Sequence, residues 1–419
     1  MMEYGLIGKN LAHSYSVEIH RAFGTENYEL KNVSEEEFDS FSQNRDFCGI
    51  NVTIPYKKKI LSYCDYISPA VRKIGSANTV VNRDGKLYAY NTDFFGFKQM
   101  LKGDGGLNDE IDVKGKCVGV LGFGGVSRTV IHALFELGAN KVYVFSQRAG
   151  DARVVNDDIF ATFLNAKPVS YDNLKATQQC EVLVNTTPAG MYPNIDMLPV
   201  DFDDFPNVSA VCDLIYNPYR TRFLVEAAKR GMRVCGGLRM LIAQGWLAEM
   251  IFTGKIKDEN ENILWDEKDC DKVTEKFANY VIVGMPGCGK TTYGRRIAED
   301  QKLQFFDSDE DFEKKNGISP ACYIEKYGEA KFRTEEYKII RGYAGKTGCV
   351  IATGGGAVTY TDTRRLLREL GMVIYLTRDI AELDVTNRPL SKGGAALEEL
   401  FKVRDPLYRQ VSDVMIAGN

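Results

Sequence analysis

The chain has 419 residues, too many for one ordinary domain, so two or three are expected. Its 44% apolar and 26% charged residues suit a water-borne globular protein, and a net charge of −4 gives no basis for a nucleic-acid or membrane-surface partner. No apolar run approaches the ~18 residues of a bilayer span. The opening Met1-Met-Glu-Tyr-Gly-Leu-Ile starts a strand and lacks the charged-then-apolar layout of a signal segment. Ten cysteines with no C-x-x-C pair predict reduced thiols and a cytoplasmic protein, and three histidines (His13, His20, His132) argue against a histidine-rich metal centre.

The first predicted strand is Tyr4–Ile7. A loop follows that contains His13-Ser-Tyr-Ser16 just before a helical run. Ser14 and Ser16 suit helix capping, and two hydroxyls two residues apart equally suit a carboxylate ligand. A second strand ends near Pro55, with Lys57 just beyond it in Asn51-Val-Thr-Ile-Pro-Tyr-Lys57. A lone lysine is ordinarily a solvated surface group. Gly75-Ser-Ala-Asn-Thr79 and Tyr90-Asn-Thr-Asp93 then set polar side chains at two more element ends, where Asn and Asp also favour plain turns.

These motifs, His13-Ser-Tyr-Ser16, Asn51 to Lys57, Ala77-Asn-Thr79 and Asn91-Thr-Asp93, together resemble the shikimate dehydrogenase family, and the resemblance runs on through Gly254. It implies that Ser14 and Ser16 bind the substrate carboxylate, that Thr53, Asn78 and Asp93 contact ring hydroxyls, and that Lys57 with Asp93 forms the catalytic pair. It further implies contacts from Gln244 and Tyr216. The residue types suit the chemistry. Reducing a ketone by hydride leaves an alkoxide that needs a proton; an ammonium can supply it while a carboxylate orients the donor. Arginine could not serve, because it does not release a proton near neutral pH.

Lys116–Leu121 reads as a buried strand. It leads into Gly122-Phe-Gly-Gly-Val-Ser-Arg128 and a helix, a Rossmann-type order with G-x-G-G-x-S in place of strict G-x-G-x-x-G. Gly122, Gly124, Gly125, Val126 and Ser127 are the predicted pyrophosphate contacts; a tight packing turn is the plainer alternative. The next strand, Lys141–Phe145, ends in Ser146-Gln147-Arg148. NAD binding calls for an acid at this point and NADP for a cation, so the triplet predicts NADP. The family usually shows Asn-Arg-Thr here, so the arginine is displaced by one position. The resemblance places the nicotinamide near Asn185, Thr186 and Gly237, and strand Val234 with the following helix is expected to return the chain to the first lobe.

Residues 255–276 break the pattern: 13 of the 22 are charged and none is Gly or Pro. A charged, partly helical linker is expected. Beyond it, the apolar run Tyr280–Val283 precedes Gly284-Met-Pro-Gly-Cys-Gly-Lys-Thr-Thr292 and a helical run. This is the P-loop pattern, G-x-x-x-x-G-K-T, in its required strand-to-helix context. Gly287, Cys288 and Gly289 let backbone N–H groups curl around an anion, and the helix N-terminus adds positive potential. Lys290 reaches toward phosphates, and Thr291, followed by Thr292, can ligate Mg²⁺. Asp307-Ser-Asp309 leaves the next strand, where acids also favour a helix start. Arg333, the glycines Gly354 to Gly356, Arg388 and Arg404 follow; each taken alone reads as a loop or a surface arginine.

Together these motifs resemble shikimate kinase over 277–419. The resemblance implies that Asp309, Arg333, Gly355, Gly356 and Arg404 hold shikimate, and that Asp309 orients or deprotonates the accepting hydroxyl. It also implies that Thr291 and Asp307 share the Mg²⁺ and that Arg388 closes on the phosphoryl group. Eleven residues separate Leu376 from Arg388, a short lid, and the arginine that stacks on adenine in the family has no match. The chain ends just after Val414–Ala417, where the family adds an adenine-facing loop and a helix.

The expected fold is α/β: a bilobed dehydrogenase, with an α/β substrate lobe (1–96 plus 233–254) and a Rossmann-type NADP lobe (97–232), then the linker and a P-loop kinase with a parallel sheet flanked by helices (277–419). The two resemblances imply reduction of 3-dehydroshikimate with NADPH and phosphorylation of shikimate with ATP and Mg²⁺. Two alternatives stay open: a nucleotide-binding regulatory C-terminal domain, and a quinate dehydrogenase.

Overall fold

The computed structural model describes residues 2–418 apart from 10, 12, 13, 105, 258–264 and 384–393. Arg388 and His13 lie outside the described residues. Among the described residues, seventeen strands form three sheets. The first sheet comprises β1 (Met2–Gly8), β2 (Tyr28–Asn32), β3 (Phe47–Val52), β4 (Tyr66–Ile67), β5 (Thr79–Arg83) and β6 (Lys86–Tyr90), in the order β2-β1-β3-β5-β6-β4. It is mixed: β2, β1 and β3 run parallel, and β5 lies antiparallel to both β3 and β6. Ile7, Ile50, Val52, Val80 and Ala89 form its core.

The second sheet is wholly parallel: β7 (Cys117–Leu121), β8 (Lys141–Phe145), β9 (Ala166–Val169), β10 (Val182–Asn185), β11 (Ala210–Asp213) and β12 (Arg233–Gly236), in the order β12-β11-β10-β7-β8-β9. The chain winds outward from β7 through β8 to β9, then returns to the other side of β7 with β10. This is the doubly wound dinucleotide-binding topology, with its switch point between β7 and β10. Unbroken apolar strands such as Val182–Val184 suit a parallel sheet covered on both faces. Residues 233–236, assigned from sequence to the substrate lobe, are instead the edge strand of this sheet. Val234 and Cys235 pair with Val211 and Cys212, so the crossover to the first lobe comes at Gly237.

That crossover is the helix Leu238–Phe252, which packs along the helix Thr92–Leu101. A Cβ on Gly96 would come 2.6 Å from the carbonyl oxygen of Met240, so the absence of a side chain sets how closely the two backbones approach. The charged stretch expected as a linker contains the helix Glu267–Phe277.

The third sheet is parallel: β13 (Tyr280–Val283), β14 (Gln304–Asp307), β15 (Cys349–Ala352), β16 (Met372–Thr377) and β17 (Val414–Ala417), in the order β14-β15-β13-β16-β17. Its core holds Val281, Ile282, Val350, Ile351, Val373 and Tyr375. The chain divides into two compact units. The first is 1–188, 199–214 and 230–274, with the first two sheets; the second is 189–198, 215–229 and 275–419, with the third. Among the described residues no helix is long and apolar enough to cross a membrane.

Two candidate active sites

In the first unit, Lys57 follows the end of β3 and Asp93 stands in the first turn of the helix Thr92–Leu101, where a carboxylate is favoured by the helix dipole. Lys57 Nζ donates to Asp93 Oδ2 at 2.5 Å, and both side chains keep some solvent access, 19% and 12%. The helix carrying Asp93 is capped by Asn91, whose Oδ1 accepts from Phe94 N and whose Nδ2 donates to Ser76 O.

Asn78 is nearly buried and fixed from three sides. Its Oδ1 accepts from Thr92 N (2.7 Å), and its Nδ2 donates to Thr92 Oγ1 (3.0 Å) and reaches Gln244 Oε1 (3.5 Å). Gln244 lies on the crossover helix. Ser14 Oγ donates to Ser16 Oγ at 3.0 Å and accepts from Ser16 N. The N-cap of the helix Ser16–Phe23 is Tyr15, which makes no side-chain cap, so neither serine is an N-cap. Thr53 follows β3, its N–H donating to Ile7 O. Lys57, Asp93, Asn78 and Gln244 are thus linked at the strand ends of the first sheet. Tyr216 lies after β11 on a segment of the second unit.

Three supports escaped the sequence reading. Tyr28 OH donates to Asn51 Oδ1 at 2.6 Å, and Asn51 Nδ2 donates to Asn78 O and Thr79 Oγ1. Ser16 bonds the Tyr28 phenol, which burial holds well above the ordinary tyrosine range. Behind them His20 Nδ1 meets Glu249 Oε2 at 2.9 Å, both side chains 2% exposed, and the imidazole stacks on Tyr28. The only sequence signal was an apolar helix face bearing a histidine.

At the switch point of the second sheet, Gly122 adopts φ 92° and a Cβ there would come 2.6 Å from Thr187 Cγ2. Gly124 and Gly125 open the helix Gly125–Glu136, and a Cβ on either would meet nothing within 4 Å, so their backbone faces open space. Ser127 Oγ accepts from Gly124 N and donates to Gly124 O, which sets the turn, and Val126 is half-buried beside it. An open helix N-terminus of this kind fits a pyrophosphate. Ser146 is buried and caps Arg148 N, whereas Gln147 and Arg148 are exposed, so a cation and no acid stands at the end of β8. Thr186 Oγ1 donates to Leu121 O. Asn185 is fully buried: Nδ2 donates to Asp213 Oδ1 and Oδ1 accepts from Thr187 N and Oγ1, which ties β10 to β11. Gly237 is buried at the start of the crossover helix.

In the second unit the P-loop joins β13 to the helix Lys290–Gln301. Gly284, Gly287 and Gly289 all have positive φ (154°, 81°, 93°), so the curl requires glycine at each. Lys290 is buried, and Nζ donates to Gly284 O (2.9 Å) and Met285 O (2.8 Å). Cys288 is buried, and Thr292 follows Thr291 in the first turn. Thr291 Oγ1 donates to Asp307 Oδ2 at 2.7 Å, while Asp307 Oδ1 accepts from Asp309 N and caps the next helix. One carboxylate therefore both caps the helix and meets the Thr291 hydroxyl. The Thr291 hydroxyl and the Asp307 carboxylate are hard oxygen donors beside a phosphate cradle, a set that suits Mg²⁺.

Arg333 lies on the helix Glu329–Arg341 and donates from Nη1 to Glu336 Oε2 and from Nη2 to Glu329 Oε1, both at 2.8 Å. Glu336 is 1% exposed; burial pushes its carboxyl up to about 7 against the pull of Arg333, and Oε1 has no hydrogen-bond partner among the described residues. Gly356 abuts the Arg333 guanidinium and leaves no room for a side chain. Gly355 O accepts from Tyr408 OH, and a Cβ on Gly355 would press on Pro286 of the P-loop. Arg404 is 5% exposed beside Tyr408. Asp309, Arg333 and the P-loop therefore gather around Gly354, Gly355 and Gly356, just after β15. Glu336 was missed from sequence, where only its i+3 spacing from Arg333 hinted at a pair.

Residues 6–80 match the family model for the shikimate dehydrogenase substrate binding domain. The shikimate dehydrogenase (NADP(+)) of Caldicellulosiruptor bescii is 40% identical over 265 residues, which cover 60% of this chain and 89% of that protein. The chain belongs to the shikimate dehydrogenase family. A solved shikimate dehydrogenase from Thermus thermophilus, in complex with NADP(H) and shikimate, matches with TM-score 0.54 and 32% identity over 65% of this chain and 98% of that one. A chorismate mutase/shikimate 5-dehydrogenase fusion protein from Clostridium acetobutylicum matches with TM-score 0.55 and 33% identity, covering 66% and 96%. Residues 286–419 match the shikimate kinase family model, so this family member carries a shikimate kinase domain after its dehydrogenase.

Proposed function

We propose that the chain performs two successive reactions on one carbocycle: NADPH-dependent reduction of 3-dehydroshikimate to shikimate, and ATP-dependent phosphorylation of shikimate. The observation that carries the reading is the 2.5 Å Lys57–Asp93 pair beside Asn78 and Gln244, in a chain that also holds a P-loop with Thr291 on Asp307. NADPH would lie along Gly122, Gly124, Gly125, Val126 and Ser127, with Arg148 on the 2′-phosphate, and it supplies the hydride. Lys57 delivers the proton that the reduced carbonyl oxygen requires, and Asp93 orients the ammonium and balances its charge. Ser14 and Ser16 hold the carboxylate; Thr53, Asn78 and Gln244 hold the ring.

In the kinase, Lys290, Thr291 and Asp307 hold ATP and Mg²⁺, which neutralises phosphate charge. Asp309 aligns the accepting hydroxyl, and Arg333, Arg404 and the Gly355–Gly356 backbone hold shikimate. Arg388 is assigned to the phosphoryl group from its sequence motif. Positioning and charge neutralisation supply most of phosphoryl-transfer catalysis, and this residue set consists of those two kinds of group. Ten free cysteines support a cytoplasmic setting. The test is one incubation of the purified chain with 3-dehydroshikimate, NADPH and ATP. Shikimate phosphate as end product supports the reading; accumulation of shikimate alone removes the kinase half, and no NADPH oxidation removes the dehydrogenase half.

A further inference from the structure

The second unit is assembled from three pieces of chain. Segments 189–198 and 215–229 leave the carboxyl ends of β10 and β11, yet they pack with 275–419. Ile195 is 1% exposed and belongs to the same core cluster as Val281, Ile340, Tyr343 and Leu366. The Tyr192 ring lies over Gly345, where a Cβ would come 2.8 Å from Cζ. The two segments are tied to each other by Tyr192 N donating to Asn217 O and Arg222 Nη1 donating to Asp196 O.

Charge pairs complete the join. Asp196 accepts from Arg341 Nη2 (2.7 Å) and Arg365 Nη2 (3.0 Å). Arg220 clamps Asp413 with both guanidinium nitrogens (3.1 and 2.7 Å), each side chain only 11% exposed, and its backbone N–H donates to Glu369 O. A bidentate pair so shielded from water has fixed geometry and resists salt. Arg341 ends the helix that carries Arg333 and Glu336, so the bond to Asp196 bears on the position of the kinase pocket's own helix.

We propose that the face formed by helices Glu329–Arg341 and Thr361–Leu370 with Asp413 is a docking surface whose partner is this chain's own segments 189–198 and 215–229. The kinase pocket depends on that docking for its shape. The kinase is then a discontinuous body, completed by loops that begin at strand ends of the dinucleotide-binding sheet.

The experiment places a protease site in the charged stretch 258–264 of the full chain and cuts it after folding. Docking predicts that the two fragments co-elute on gel filtration in 0.5 M salt (roughly three times physiological ionic strength) and keep both activities. In the cut chain, Arg220→Asp should separate the fragments and raise the kinase KM for shikimate on the order of tenfold, with the NADPH-dependent rate intact. Adding Asp413→Arg should restore association by reversing the pair. Separation of the fragments without any substitution, or a Arg220→Asp chain that stays associated with unchanged KM, overturns the proposal. Association is read without substrate, so failure of the kinase reading would leave co-elution intact and is distinguishable.

Discussion

Asp309 and Glu336 converge on one glycine. A Cβ built on Gly354 would lie 2.7 Å from Asp309 Oδ1 and 2.5 Å from Glu336 Oε1, so the backbone passes between two carboxylates with no room for a methyl group. Gly354 N is meanwhile held by Ser308 Oγ at 2.9 Å, which stops the loop from backing away. Gly354→Ala must therefore push aside one or both carboxylates. Phosphorylation of shikimate should fall by about 10²-fold, as expected for an ångström-scale misplacement, while NADPH oxidation by the same protein stays at its original rate. Coupled spectrophotometric assays of both reactions check this.

Lys57 is the ammonium paired with Asp93. Lys57→Ala should lower the reduction rate by roughly 10²–10⁴-fold, the usual weight of a positioned proton donor, with the KM for 3-dehydroshikimate little changed. Lys57→Arg should not recover it, since guanidinium keeps its proton. Full turnover in either variant would remove Lys57 from the mechanism.

Lys290 and Thr291 belong to the other site. Lys290→Ala should abolish phosphorylation and leave reduction untouched. Thr291→Ala, which deletes the hydroxyl 2.7 Å from Asp307, should instead raise the Mg²⁺ concentration needed for half-maximal kinase rate. A magnesium titration of both variants separates the two roles.

Glu369 is fully buried on the helix Thr361–Leu370, and burial pushes its carboxyl up to about 7 from 4.5 despite Arg365 at 3.5 Å. Its folded-state value is the higher one, so the folded protein binds more protons than the unfolded chain between those values. The contribution of this carboxyl to stability is then fully present below pH 4.5 and is lost as pH rises toward 7. Glu369→Gln keeps the shape without the titration. Relative to the variant, the parent's melting temperature for the second unit should fall as pH rises from 5 to 7, approximately the window between the two values; parallel profiles would refute it.

The P-loop was legible in the residues alone, because its function resides in contiguous backbone: glycines at 284, 287 and 289 can be read off in order, and each proves to need positive φ. The NADP preference was legible for a similar reason, since the end of β8 is a local feature and Arg148 stands exposed there. Lys57 and Asp93 were named through family motifs, as nothing local tells a catalytic lysine from a surface one; 36 residues apart in sequence, they meet only when β3 and the helix Thr92–Leu101 are placed in one sheet-and-helix layer. Glu336 looked like one more charged helix residue, and its burial beside Gly354 arises from long-range packing. Strand 233–236 was assigned to the wrong sheet because an apolar run specifies a strand and leaves its neighbour open; pairing with β11 decided it. Likewise Ile195, Asp196 and Arg220 carry no local mark of belonging with residues 275–419. Short-range pattern encodes backbone conformation and one-sided apolarity, whereas partner choice depends on which distant surfaces exclude water together, and only the folded chain decides that.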